Sequence, residues 1–165
     1  MAVWKARRTL LLVGEGYHEE AFLNHVKQLY VLRGCGLSVT VKNARGKSAK
    51  HIIEWTTRQI ANTDYDAVAV MLDTDTDWSP ALAKQAKAKR IQVLASEPCF
   101  EALLLRLLGN HPVGDTVALK KLLAPYLNNA PTERQNYAEH FGKACLGAGR
   151  QEEPSIDALL RLLGA

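Results

Sequence analysis

Four short strand-like segments, each followed by a helix-like segment, are the feature of this sequence that most constrains its fold. Residues 9–13, 67–72 and 91–95 are mainly apolar runs typical of strands buried on both faces, while residues 37–41 alternate and are rich in β-branched side chains. Strands that alternate with helices form a parallel sheet with right-handed crossovers. We therefore predict an α/β fold, a Rossmann-like and mainly parallel sheet of about four strands flanked by helices.

The helices between these strands follow from apolar residues at helical spacing. They are predicted at 19–33, at 48–61, after a cap at Ser79, and at 100–108. No strand pattern follows Gly109, and capping residues ahead of apolar patterns predict further helices. These helices are predicted to begin near Asp115, at Thr132 and at Ser155.

The length and composition indicate one domain with two parts. With 165 residues and 47% hydrophobic content, the chain can bury one core but is short for two ordinary domains. We expect an α/β core over residues 1–110 and a C-terminal helical extension over 111–165 that packs on the same domain.

The charge and the cysteines bear on location and partners. A net charge of +4 and a pI near 9.0 make a nucleic acid, DNA or RNA, a plausible partner, because lysines and arginines that meet phosphates release counterions. Three widely spaced cysteines show no disulfide framework, and no segment has the length of a signal-peptide core or a membrane span. We expect a soluble cytoplasmic protein that binds no membrane.

Acidic residues follow two of the predicted strands. Glu15 lies between two glycines after the first strand, and Asp73, Asp75 and Asp77 follow the third. Parallel strands end at one edge of the sheet, where carboxylates that meet would repel one another unless a cation is bound. We predict a Mg²⁺ or Mn²⁺ site formed by these four residues and by Glu19, one helical turn beyond Glu15. Taken singly, each acid could equally be an ordinary turn residue.

Three sequence segments also carry a family resemblance. GEGYHEEAFL resembles the E-G-x-x-E signature of Toprim domains, and MLDTD resembles their D-x-D signature. SEPCFEALLL resembles the S-N-P-C-F-E-L-W-L-L stretch of RloB-like proteins, a Toprim-related group associated with prokaryotic defence, and PSIDALLRLL resembles the end of that group. The sequence departs from this pattern at His18, Glu97 and Ala102.

The resemblance implies particular roles for the acids. It makes Glu15 the first acidic residue of the family, Asp73 and Asp75 its metal-binding pair, Glu19 a second-site ligand, and Glu101 the glutamate after C-F. It implies a Toprim-like fold and a metal-dependent endonuclease, or a nuclease subunit of a defence system with a possible partner protein. Glu15, Asp73 and Asp75 would be catalytic.

Further alternatives remain open. Lys47, in a segment like the end of a P-loop but without its upstream glycine, could support catalysis by contacting a phosphate. A Toprim-like fold could instead be a non-catalytic interaction module, or carry out nucleotidyl transfer as primases do. Asp73 and Asp75 also satisfy the D-x-D-x-T signature of haloacid-dehalogenase phosphatases, although on the third strand rather than the first.

Overall fold

The predicted strands form one parallel sheet. The computed structural model describes residues 8–46 and 48–165. In these ranges the sheet has four strands in the order β2-β1-β3-β4, and every neighbouring pair is parallel. The strands are β1 (Arg8–Gly14), β2 (Leu37–Asn43), β3 (Ala67–Asp73) and β4 (Gln92–Ser96). The predicted α/β, Rossmann-like fold class is confirmed.

Helices connect the strands and cover both faces of the sheet. The first four are α1 (Tyr17–Tyr30), α2 (Ala49–Asn62), α3 (Pro80–Ala88) and α4 (Phe100–Leu107). The C-terminal part contributes α5 (Thr116–Leu123), α6 (Lys143–Gly149) and α7 (Pro154–Leu162). Short 3₁₀ turns span Ala124–Leu127 and Arg134–Tyr137.

The C-terminal helices differ in part from the prediction. Asp115 caps α5 as expected, because its carboxylate accepts from the Ala118 N–H at 2.9 Å. No α-helix begins at Thr132, since the charged and polar residues that follow form only the second 3₁₀ turn. The helix predicted at Ser155 begins one residue earlier, with Pro154 in its first turn.

Alternate residues of the strands build two hydrophobic cores. Leu11 and Val13 face α2 and α3, whereas Leu10 and Leu12 face α1, α4 and the C-terminal helices. At the centre of this second core, Phe22 makes edge contacts with three aromatic rings at centroid distances of 5.6, 5.8 and 6.4 Å; they belong to Phe100, Tyr137 and Phe141.

None of the helices within residues 8–46 and 48–165 has the length and apolar character needed to cross a membrane.

Candidate acidic site at the carboxyl edge of the sheet

Glu15 and Glu19 are positioned by the tight turn that joins β1 to α1. A Cβ at Gly14 would lie 2.9 Å from the backbone N of Glu20, so glycine is what allows α1 to pack this closely on the end of β1. Gly16 is the N-cap residue, and the Glu19 carboxylate reaches back to accept from its N–H at 3.0 Å. Both glutamates are buried, each 8% exposed.

Asp73 ends the neighbouring strand and links three elements. Its N–H donates to Glu15 Oε2 at 3.0 Å, and its Oδ1 accepts from the N–H of Phe100 at 2.9 Å, in the first turn of α4. The register pairs Gly14 with Met71 and Asp73 with Ser96, so these strands end at the same level. The predicted meeting of Glu15 with Asp73 is therefore present.

Burial and like charges disfavour ionisation of this cluster. Burial, together with the charges of Glu19, Glu15, Glu101 and Asp75, raises the pKa of Asp73 to about 8. Burial and its acidic neighbours likewise raise the pKa of Glu19 to about 7. Burial also raises the pKa of Glu15, although the hydrogen bond from Asp73 N–H partly offsets this. A bound cation would relieve the repulsion between the ionised forms.

Glu101 is the fourth carboxylate of the cluster and differs from the others. Glu101 lies in the first turn of α4 and its side chain is buried, with His18 Nδ1 3.8 Å from its Oε1. Burial would raise the pKa of Glu101, but its interaction with His18 and the charge of Lys120 contribute to holding that pKa below the usual value. Glu101 therefore stays ionised at pH values at which Asp73 is protonated.

These side chains line one cavity of about 290 Å³. Its wall contains Glu15, Glu19, Asp73 and Glu101, with His18, Thr116 and Lys120 among the other residues. Among the described residues that line it, Lys120 is the one lysine or arginine. This lysine lies on α5, far from the acids in sequence, and no local pattern marked it as part of the site.

Asp75 lies outside this wall. Its side chain is exposed and its Oδ2 accepts from Thr116 Oγ1 at 3.2 Å, while its N–H donates to the Pro98 carbonyl at 3.0 Å. These contacts hold the loop after β3 against the start of α4 and α5. Asp75 is thus close enough to influence Asp73 electrostatically but does not line the cavity.

Asp77, predicted as a metal ligand, makes its hydrogen bonds to the start of a helix instead. Its two carboxylate oxygens accept from the N–H groups of Ala49 at 2.6 Å and Lys50 at 3.1 Å, in the first turn of α2. The slight burial of Asp77 would raise its pKa, but these hydrogen bonds outweigh it and lower the pKa below the usual value. Asp77 stabilises a helix start in this structure. Lys47, the predicted supporting lysine, lies outside the described residues.

The carboxylates fit a hard cation by their chemistry. Within residues 8–46 and 48–165 no three His, Cys, Asp or Glu side chains form a ready-made metal cluster. Mg²⁺ does not require one, because it is usually held by one or two carboxylates and completes its coordination with water and substrate phosphate. Glu15 and Asp73 are suited to this role, since they are adjacent, half-buried or buried, and line the same cavity.

The chain is therefore an α/β protein with a parallel sheet, and it carries a buried acidic cluster at the carboxyl ends of the two central strands. Comparisons with protein-family models, with curated proteins and with solved structures find no significant match. The resemblance to Toprim and RloB-like proteins therefore remains a prediction from the sequence segments.

Proposed function

We propose that this protein carries out metal-dependent phosphodiester chemistry on nucleic acid, as an endonuclease or nuclease subunit of a prokaryotic defence system. The observation that carries the proposal is the convergence of Glu15, Glu19, Asp73 and Glu101 around one cavity at the carboxyl edge of the sheet. The Toprim-like and RloB-like sequence segments add the defence context.

The acidic residues at this edge of the sheet, and Lys120 in the cavity wall, would have different roles. Glu15 and Asp73 would hold Mg²⁺ or Mn²⁺, with Glu19 and Asp75 as supporting carboxylates. The ion would supply an activated water and charge neutralisation at the phosphate. Lys120 faces the same cavity and suits a phosphate oxygen, while Glu15 or the ionised Glu101 could accept a proton.

A basic and aromatic groove beside the acidic cavity supports nucleic acid as the substrate. The groove has a volume of about 420 Å³ and is lined by Lys42, Arg45 and Trp55, with Glu20 as its one acidic residue among those that the structure describes. Tyr17 lines both the groove and the acidic cavity and is 54% exposed. Cations that track phosphates, next to aromatic rings on which bases stack, are the usual means of binding a single strand.

One observation favours a second candidate, the non-catalytic interaction module. The carboxylates of Glu15 and Asp73 already accept backbone N–H groups, so they connect β1, β3 and α4 without any metal. The phosphatase hypothesis gains no such support, because Asp73 ends the third strand and one further strand follows it in the described part of the chain.

A cleavage assay with a matched control tests the proposal. Wild type, Asp73→Asn and Asp64→Asn are incubated with single-stranded DNA and RNA in Mg²⁺ or Mn²⁺. Asp64 is exposed and precedes β3 at the opposite edge of the sheet, so its variant controls for the loss of one carboxylate.

We expect Asp73→Asn to lower the cleavage rate about 100-fold or more and Asp64→Asn to leave it unchanged. Equal cleavage by wild type and Asp73→Asn would refute the assignment of this site. No cleavage by wild type, with no metal-dependent rise in melting temperature, would support the interaction module.

A further inference from the structure

The two edge strands of the sheet differ in what lies beside them. At one edge, α7 packs against β4, and the Ser155 hydroxyl donates to the Ala95 carbonyl on the outer side of that strand. At the other edge, β2 spans seven residues without proline, and no strand in the described ranges pairs with its outer side. An edge strand of this kind is a surface on which another strand can pair.

The hydrogen bonds to β1 show which backbone groups of β2 point outwards. The Arg8 N–H donates to the Gly36 carbonyl, and the Ala44 N–H donates to the Gly14 carbonyl, each at 3.0 Å. Even-numbered residues of β2 therefore bond to β1, because alternate residues of a strand direct their N–H and C=O groups to opposite sides. The odd-numbered residues direct theirs outwards; they are Leu37, Val39, Val41 and Asn43.

These outward groups lack strong hydrogen bonds. The Leu37 carbonyl accepts a weak bond from the Cys35 thiol at 3.8 Å. Within residues 8–46 and 48–165, the outward N–H and C=O groups of Val39 and Val41 have no hydrogen-bond partner. The edge thus offers a row of donors and acceptors to an added strand.

Two copies of β2 can satisfy these groups in one antiparallel register. With Thr40 on a twofold axis, Val39 lies opposite Val41 of the second copy, and Leu37 lies opposite Asn43 of the second copy. Both are pairs of outward-facing residues, so each pair exchanges two backbone hydrogen bonds. A shift of one residue would place outward groups opposite inward ones, and a shift of two would leave some of them unpaired.

The side chains of β2 agree with the same register. Val39 and Val41 both lie on the α1 side of the sheet, so they would form a β-branched cross-strand pair. On the other side of the sheet, Thr40 would face Thr40 of the second copy, and Lys42 would face Ser38. No two like charges are opposite each other in this pairing.

We propose that two copies of this protein associate through β2, in an antiparallel pair centred on Thr40 that continues the sheet from one copy into the other. The inference goes beyond the proposed function and does not depend on it, because it involves none of the acidic side chains. Val41 and Lys42 also line the basic and aromatic groove, so the second copy would cover that side of it.

Sedimentation velocity over a concentration series tests the pairing through a charge exchange at Thr40. We expect wild type to dimerise, and Thr40→Lys and Thr40→Glu each to weaken the dimer about fivefold or more, because like charges then meet across the axis. An equimolar mixture of these two variants should restore the dimer. Thr63→Lys, at an exposed position after α2, is the control for an added charge and should dimerise as wild type does.

A proline substitution tests the backbone hydrogen bonds. Val41→Pro removes an outward N–H but none that bonds to β1, and should weaken the dimer about tenfold. Val93→Pro is the matched control on β4: the Thr74 N–H donates to the Ser96 carbonyl, so even-numbered residues of β4 bond to β3 and the Val93 N–H points outwards. Circular dichroism checks that both variants fold, and the Thr40 exchange still decides the question if Val41→Pro does not.

The inference is overturned if wild type stays monomeric up to about 0.1 mM. It is also overturned if Thr40→Lys dimerises as tightly as wild type, or if the mixture with Thr40→Glu dimerises no more tightly than either variant alone. A folded Val41→Pro protein with a wild-type dimer, or an equal loss in Val93→Pro, has the same consequence. These measurements use metal-free protein without nucleic acid, so their failure would leave the proposed function standing, and a failed cleavage assay would leave the pairing standing.

Discussion

At the scale of single residues, two opposing effects act on the ionisation of the carboxylates at the acidic edge. Asp73 and Glu15 connect strands and helix through backbone N–H groups, which favours their charged forms. Burial and the neighbouring carboxylates oppose those charged forms and raise the pKa of both. The metal-free protein should therefore become less stable as these groups ionise.

The pH dependence of stability follows from these shifts. The pKa values of Asp73 and Glu19 rise from ordinary values of 3.8 and 4.5 to about 8 and about 7. Their contribution to stability is thus complete below about pH 4 and is lost as the pH rises through 7 to 8. In Asp73→Asn, which cannot ionise, this loss should be smaller.

Melting temperatures in the presence of a chelator measure this difference. At about pH 8.5 we expect Asp73→Asn to melt a few degrees above wild type, and the gap should narrow as the pH falls towards about 4. Melting temperatures of the two proteins that run in parallel across this range would show that Asp73 does not carry the predicted repulsion.

At the scale of elements, the loop after β3 makes hydrogen bonds to the starts of two helices. Asp75 contacts the start of α5 through Thr116, and Asp77 caps the first turn of α2 together with the Ser48 hydroxyl, which accepts from the His51 N–H at 3.1 Å. Sequence spacing placed all the acids of this loop at the sheet edge. It could not reveal that the backbone turns Asp77 towards a different helix.

Asp77→Ala should therefore act on stability rather than on metal binding. Loss of the cap should lower the free energy of unfolding by about 1 kcal/mol in urea titrations. Asp64→Ala, at an exposed loop position, is the control and should leave it nearly unchanged. If Asp77→Ala had the stability of wild type but a large loss of metal affinity, Asp77 would be a metal ligand and not a helix cap.

The helices and strands themselves were predictable to different degrees. The four strands were found to within two residues, three of them from mainly apolar runs and β2 from its alternating, β-branched pattern. Helix α6 was not predicted, since Gly147 and Gly149 weaken its helical pattern and only packing in the folded chain stabilises it. Thr132 resembled a helix start, but the polar residues directly after it form only a 3₁₀ turn.

At the scale of the whole molecule, the site depends on strand order and on the C-terminal part of the chain. The sequence predicted that the strands end at one edge, but only the order β2-β1-β3-β4 makes Glu15 and Asp73 immediate neighbours. Lys120 reaches the acidic cavity because the segments after α4 fold back over the edge. Contacts of this kind depend on tertiary packing and leave no local sequence signal.

The distribution of charge also emerges only at this scale. The chain has a net charge of +4, yet its candidate site is acidic and would repel a polyanion without a cation. The basic and aromatic groove at Lys42, Arg45 and Trp55 lies next to that site and shares Tyr17 with it. Under the proposed function, a bound cation would join the two surfaces into one path for a nucleic-acid strand.

The most direct test of the account is calorimetric titration of the protein with Mn²⁺ and Mg²⁺. Wild type, Glu15→Gln and Asp64→Asn are compared, because glutamine keeps an acceptor for the Asp73 N–H while removing the charge. The account predicts that wild type and Asp64→Asn bind the ion alike and that Glu15→Gln binds it about tenfold or more weakly. Equal binding by wild type and Glu15→Gln, or no binding by wild type even with a nucleotide phosphate present, would contradict a metal site at this edge.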